Sequence, residues 1–306
     1  MTAILSLDGG GLRGLITALI LQRIEEARSG FLDHFDLITG TSTGALLALA
    51  LARGMTPSEI ARIYETRASE IFRDSLLDNV RDLGKSVGAQ YQNKGLIRVL
   101  GDVFGEGTLG DLRKRVAICA FDLDNELPDP KQRSWAPKIF HNYPGPDSDA
   151  AMSQAKVALY SASAPTYFPS ADGYIDGGVF ANNPSMVGLC QVLDSRNPSS
   201  EQARLEDVVL FSAGTGANPA YIKGKRHDWG LFQWIHPLMD ILIDGVSGVA
   251  DFQCRQLLGD RYFRLQPSIA GHGRIGLDAV RKLGRMRRIG ETWPIEDALA
   301  WIDSHF

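Results

Sequence analysis

Two glycine-bounded turns, each set between a short apolar run and a stretch of helical periodicity, dominate the first 54 residues. Residues 3–7 (AILSL) read as a buried strand, after which Gly9, Gly10, Gly11 and Gly14 interrupt the chain. LITALILQRIEEARSG then repeats apolar residues at helical spacing and stops at Gly30. Residues 35–39 (FDLIT) read as a second strand, GTSTG as a second turn, and ALLALALARG as a compact helix. Parallel neighbours in a sheet need such helical crossovers between them. An α/β fold with a mostly parallel central sheet is therefore expected.

The remaining chain extends this pattern. Thr56, Pro57 and Glu59 supply an N-cap, a first-turn proline and a capping-box partner for a helix running to about Phe72. Further strands are expected at 116–121, 138–142 and 207–213, and helices at 150–161, 184–195, 278–289 and 295–304. Residues 74–95 read as a mobile loop or short helices. No repeat, low-complexity tract or linker divides the 306 residues, so a single domain over 1–306 is expected. A chain of this length buries roughly three quarters of its unfolded surface and needs no staple. Cys119, Cys190 and Cys254 are odd in number and far apart, which fits a reducing compartment. The net charge of −4 argues against nucleic acid as a partner. The opening MTAILSLDGGG is too short in apolar residues for a secretion signal, and no run reaches the length of a spanning helix. A cytoplasmic protein, peripheral where it meets a membrane surface, is the expectation.

The first turn is formally G-x-G-x-x-G at Gly9, Gly11 and Gly14, the dinucleotide fingerprint. That reading requires an acidic residue at the end of the second strand, where this chain has Thr39-Gly40-Thr41. No Gly-Lys-Ser/Thr follows either, so a phosphate-binding loop of that type is excluded. Successive backbone N–H groups at a helix start also form an anion nest, and an oxyanion hole uses such donors. The second turn, Gly40-Thr41-Ser42-Thr43-Gly44, is G-x-S-x-G between a strand and a helix, the setting of a nucleophile elbow. The pentapeptide occurs by chance roughly 0.2 times in such a chain, and a capping serine in a tight turn is the alternative. The six histidines sit in no catalytic setting, so a carboxylate is the candidate base. Asp176, at the end of YID and followed by Gly177 and Gly178, is the best placed. Asp8 is read as a turn-stabilising residue at the loop mouth, and Asp122 and Asp124 as a solvated loop rather than a metal site.

Taken together, these residues resemble the patatin-like phospholipases. Asp8-Gly9-Gly10-Gly11-Leu12-Arg13-Gly14 matches the family's DGGGxRG loop, a heptad expected by chance only roughly 10⁻⁴ to 10⁻³ times. Ser42 matches the family nucleophile, and Asp176-Gly177-Gly178 its D-G-A/G motif. Residues 161–169, 181–184 and 213–216 resemble its flanking segments. The resemblance covers residues 3–216, and no motif matches beyond 216. It implies a three-layer α/β/α fold and calcium-independent hydrolysis of lipid acyl esters by a Ser-Asp dyad. Carried over, Ser42 is the nucleophile and Asp176 the general base. Gly9, Gly10 and Gly11 form the oxyanion hole, with Arg13 and Gly14 supporting the loop. Gly40 and Gly44 shape the elbow, and no metal or other cofactor takes part.

The expected substrate is then a membrane or micellar lipid. A general carboxylesterase or thioesterase shares the same motifs. So does a signal-activated effector in which a small ligand or partner protein orders the loops. Residues 217–306 would hold a lid or substrate-pocket segment. Within them, 229–252 concentrates Trp229, Phe232, Trp234, Ile235, Leu238, Met239, Ile241, Leu242 and Ile243. This stretch reads either as a buried helix pair of the core, the preferred reading, or as an interfacial segment. Arg281, Lys282, Arg285, Arg287 and Arg288 read as a solvated basic helix face, or one that touches anionic headgroups.

Overall fold

The computed structural model describes residues 1–72, 89–217, 221–226, 228–270 and 275–306, with the backbone alone at 231, 232, 235–240, 242 and 244. Its centre is a seven-stranded sheet. The strands are β1 (Thr2–Leu7), β2 (Leu37–Thr41), β3 (Arg115–Asp122), β4 (Ala136–His141), β5 (Tyr174–Asp176), β6 (Val208–Ala213) and β7 (Tyr262–Leu265). They lie in the order β4-β3-β2-β1-β6-β7, and β5 also pairs with β3. Neighbours from β3 to β7 run parallel, while β4 and β5 run antiparallel to β3.

The helices are α1 (Gly14–Ala27), α2 (Thr43–Arg53), α3 (Pro57–Ile71), α4 (Lys94–Phe104), α5 (Gln154–Ala162) and α6 (Gly178–Ala181), then α7 (Ser185–Leu193), α8 (Leu231–Leu258), α9 (Leu283–Thr292) and α10 (Glu296–His305). They form two layers, because alternate strand residues feed different cores. Ala3, Leu5 and Leu7 of β1 join the cluster that holds Leu15, Leu49, Ile60 and Ile302. Ile4 joins the smaller cluster with Leu189, Val192, Cys254 and Leu258. A sheet buried on both faces in this way gives the expected three layers.

Several boundaries shift. The second strand runs two residues past the expected 39, because Asp36 stays outside it and accepts the Ala3 N–H at 2.8 Å. The helix expected from 278 starts only at Leu283, after a 3₁₀ turn over Val280–Lys282. β7 and α4 escaped the sequence reading. β7 is four residues long and carries an arginine, and α4 starts at the end of 74–95, which reads as a mobile loop or short helices, and runs on to Phe104. Residues 73–88 of that stretch lie outside the described residues.

The reading of 229–252 as a helix pair is corrected: residues 231–252 belong to one helix, α8, and among its described side chains Ile241, Val249 and Phe252 are exposed while Ala250 is buried. In the basic cluster, Arg287 is ion-paired with Glu65 at 2.5 Å rather than merely solvated. No described helix is long and apolar enough to cross a membrane.

The larger core is tied together by aromatic rings. Phe211 of β6 is fully buried, edge-on to Phe31 at 5.3 Å and stacked on Phe263 of β7 at 5.3 Å. Truncation there leaves a cavity bounded by rigid strands. Phe211→Ala should destabilise the protein by about 3–5 kcal/mol, read as a lowered urea midpoint.

Candidate active site

Strand β3 brings the two candidate catalytic residues together. On one edge its residues Arg115–Cys119 pair with β2, and Ala120–Asp122 pair with β5. The two partners run in opposite directions, so their C-terminal ends meet at the step between Cys119 and Ala120. Ser42 follows the last residue of β2, and Asp176 is the last residue of β5.

Ser42 has φ 56° and ψ −122°, a left-handed conformation that costs a non-glycine residue. The surrounding contacts hold it there. Its N–H donates to Ser161 Oγ at 2.8 Å, and that hydroxyl donates to the Cys119 carbonyl at 2.6 Å. The flanking glycines are required by close backbone approach. A Cβ on Gly40 would lie 2.3 Å from the Gly44 carbonyl oxygen, and one on Gly44 would lie 2.1 Å from that of Leu7. The Ser42 side chain makes no capping bond to α2, so the capping-serine alternative does not apply.

Asp176 is 5% exposed and lies near enough to the Ser42 side chain for that hydroxyl to favour its anion. The Gly178 N–H donates to its Oδ1 at 2.7 Å, and Gly177 caps the short helix α6. Burial pushes the carboxyl up from 3.8 to about 6, against the Ser42 hydroxyl and the Gly178 N–H, which lower it. No cation offsets the burial among the causes of this shift. The neighbouring Cys119 thiol is also buried, which pushes it up to about 12 and keeps it protonated.

The glycine loop departs from the expectation at one position. The Gly9 N–H donates to the Asn182 carbonyl at 2.9 Å, so Gly9 has no free donor for an oxyanion. Among the described residues, the Gly10 and Gly11 N–H groups have no protein acceptor. Gly11, at φ +57°, lines a largely apolar cavity of about 60 Å³ together with Ser42, Thr43, Tyr64, Phe168 and Leu277. Arg13 holds the loop through the carbonyls of Gly10, at 3.3 Å from Nε, and Gly216, at 3.1 Å from Nη1. Gly14 opens α1 against the hydroxyls of Thr43 and Tyr64.

A family model described as patatin-like phospholipase matches residues 5–188. The chain belongs to the patatin-like phospholipase family. It is 34% identical over 268 residues to a cGAMP-activated phospholipase of Pseudomonas aeruginosa, covering 86% of this chain and 77% of that protein. It is 28% identical to a putative sporulation hydrolase of Bacillus subtilis, covering 87% of each. Patatin-like protein 2 of Arabidopsis thaliana is 30% identical, over 82% of this chain and 71% of the relative.

In this patatin-like chain, residues beyond the matched span also reach the site. Thr215 Oγ1 donates to the Gly9 carbonyl at 2.8 Å, and the Leu277 carbonyl accepts the Leu12 N–H at 2.7 Å. Arg264 pairs with Asp8 through both carboxylate oxygens. Asp8 is therefore not at the loop mouth as expected, but buried beneath it. Burial disfavours the Arg264 cation, yet the charge and hydrogen bonds of Asp8 outweigh it and hold the guanidinium above its usual pKa.

The described histidine side chains lie elsewhere. His34 stacks on Phe306 at 4.7 Å, His305 stacks on Trp301 at 4.4 Å, and His141 ends β4. Asp124 is ion-paired with Arg133, and Asp122 Oδ1 accepts the Asp124 N–H at 3.0 Å.

Asp176 binds its proton more tightly in the folded protein than in the unfolded chain. Its contribution favours folding below pH 3.8 and is lost as the pH rises through about 6. Asp176→Asn should therefore be more stable than wild type at pH 8, by up to about 3 kcal/mol, with the gain vanishing at pH 4. Thermal melts at the two pH values check this. A variant less stable at pH 8 than at pH 4, relative to wild type, would show that the burial is compensated.

Proposed function

We propose that the chain is a calcium-independent lipid acyl hydrolase of phospholipase A or lysophospholipase type, working through Ser42 and Asp176. The observation that carries this reading is a serine at a strained elbow beside a buried carboxyl whose basicity is raised. Ser42 Oγ attacks the acyl carbonyl carbon as its proton passes to Asp176. An ordinary aspartate is too weak a base for this, and the shift to about 6 brings it closer to the working pH. Negative charge then develops on the carbonyl oxygen. Gly10 and Gly11 supply the backbone donors for it, each contributing roughly 3 kcal/mol to the transition state. Asp176 returns the proton to the leaving alcohol, and the acyl chain remains as a serine ester. Asp176 next takes a proton from water as that water bonds to the acyl carbon, and gives it to Ser42 Oγ as the C–Oγ bond breaks and the fatty acid leaves. Base and oxyanion donors all come from the protein, which supports a reaction that needs no calcium. The apolar cavity beside Ser42 suits an acyl chain. A general carboxylesterase or thioesterase would use the same groups.

A second reading has one observation in its favour. The 34% identical relative from Pseudomonas aeruginosa is a cGAMP-activated phospholipase. The present chain would then be silent until a cyclic dinucleotide, or a partner protein, orders its loops.

Fatty-acid release from mixed phospholipid vesicles in chelator tests both readings. Wild type should release fatty acid, while Ser42→Ala and Asp176→Asn should lose about 10³-fold or more in kcat with their folds intact. Release only after cGAMP is added supports the gated reading. A folded Asp176→Asn variant with normal turnover sinks the dyad. The acid limb of kcat/KM should rise through pH of about 6, because the ionised form of Asp176 is the base. A profile flat from pH 5 to 8 would point to another base.

A further inference from the structure

Asp8 is the last residue before the glycine loop that has a side chain. β1 ends at Leu7, and the Asp8 N–H extends the sheet by one bond to the Ala213 carbonyl, at 3.1 Å. Gly9, Gly10 and Gly11 then follow with no side chains to fix their peptide planes. Thr215 and Arg13 hold the Gly9 and Gly10 carbonyls, whose peptide planes carry the Gly10 and Gly11 N–H groups, and the loop they hold starts from its root at Asp8.

That root is clamped from β7. Arg264 Nη1 donates to Asp8 Oδ1 at 2.8 Å, and Nη2 donates to Oδ2. The side chains are 6% and 2% exposed. Arg264 faces Ser212 across β6 and β7, and Ser212 faces Ser6 across β6 and β1. The guanidinium thus reaches over one whole strand. Its Nη1 also donates to Ser212 Oγ at 2.7 Å, and Ser212 is held by Ser185 Oγ at 3.0 Å. Ser185 in turn bonds Ser6 Oγ at 3.0 Å and Asn183 Oδ1 at 2.6 Å. Desolvation makes a buried ion pair a poor source of net stability, so fold stability alone does not account for this one. A planar fork that binds a carboxylate at both oxygens does fix its orientation.

We propose that Arg264 is a positioning residue: by clamping Asp8 it fixes the glycine loop so that the Gly10 and Gly11 N–H groups point at the oxyanion. This rests on the hydrolase reading above. Arg264 lies outside residues 5–188, and it touches neither Ser42 nor Asp176 in any bond described. Its effect should therefore fall on the transition state and spare substrate binding.

The test compares wild type, Ser42→Ala and Arg264→Lys on 4-nitrophenyl butyrate, with the exchange of the Gly10 and Gly11 amides followed by NMR. Lysine keeps the charge and loses the fork. Arg264→Lys should melt cooperatively, keep its KM, lose about 100-fold in kcat and exchange those amides faster. A cooperatively folded Arg264→Lys with wild-type kcat and exchange overturns the proposal. So does a loss of kcat matched by an equal loss of folded protein. Should Arg264→Lys fail to fold, the neutral pair Asp8→Asn/Arg264→Gln replaces it, since removing both charges relieves their burial. Wild-type turnover in that folded double variant also overturns the clamp. If wild type releases no more product than Ser42→Ala either with or without added cGAMP, the hydrolase reading fails. Amide exchange then still decides whether Arg264 orders the loop.

Discussion

The site depends on two strands sharing one edge of β3. Parallel β2 and antiparallel β5 occupy consecutive stretches of that edge, so their ends face each other over Cys119 and Ala120. The junction admits little but backbone. A Cβ on Gly177 would meet the Cys119 carbonyl oxygen at 2.4 Å, and one on Gly44 would meet that of Leu7 at 2.1 Å. Ser161 completes it from α5 by bonding both the Ser42 N–H and the Cys119 carbonyl. The positive φ of Ser42 is a consequence of this crowding. The chain must leave the sheet and enter α2 within one residue, and the close-packed backbone leaves it no gentler path.

Two buried aspartates show how the same desolvation serves different ends. Burial raises the pKa of both, and at Asp8 a guanidinium that binds both its oxygens works against that rise. Asp176 faces only neutral donors, the Ser42 side chain and the Gly178 N–H, and its pKa rises to about 6. The difference lies in what is placed opposite. A cation makes a fixed anchor, while neutral donors leave a carboxyl able to take and return a proton near neutral pH. An arginine beside Asp176 would stabilise its anion and weaken it as a base. Leaving it without one costs folding free energy at neutral pH, which the large cores on both sides of the sheet absorb.

Much of the fold was legible because it is written in local pattern. The alternation of apolar strands and periodic helices over the first 54 residues carries the parallel sheet, and Thr56, Pro57 and Glu59 form the capped start of α3. Ser42 and Asp176 stood out because glycines bracket them in turns. What escaped depends on partners far away in sequence. β7 is four residues long and strand-like only because β6 pairs with it. Gly9 reads like its two neighbours in the glycine run, and only the distant Asn182 carbonyl takes its N–H out of play. The burial of Asp8 was hidden for the same reason, since its partner lies 256 residues away. Nor does an apolar count tell which side of a helix is buried: on α8, Ile241, Val249 and Phe252 are exposed while Ala250, Cys254 and Leu258 are buried.

Chemistry and its adjustment thus come from different parts of the chain. Ser42, Asp176 and the glycine loop all fall within residues 5–188, the span shared with the patatin-like family. The groups that hold the loop from its other side, Thr215, Gly216, Arg264 and Leu277, come after it. The proposed nucleophile and base are held at the sheet edge by close backbone contacts. The loop is held by hydrogen bonds from separate segments that belong to neither β2 nor β5. Small displacements of donors cost far more in a transition state than in a folded ground state. If the proposed dyad holds, the later segments can therefore change the rate of its reaction through the loop, while Ser42 and Asp176 stay in place.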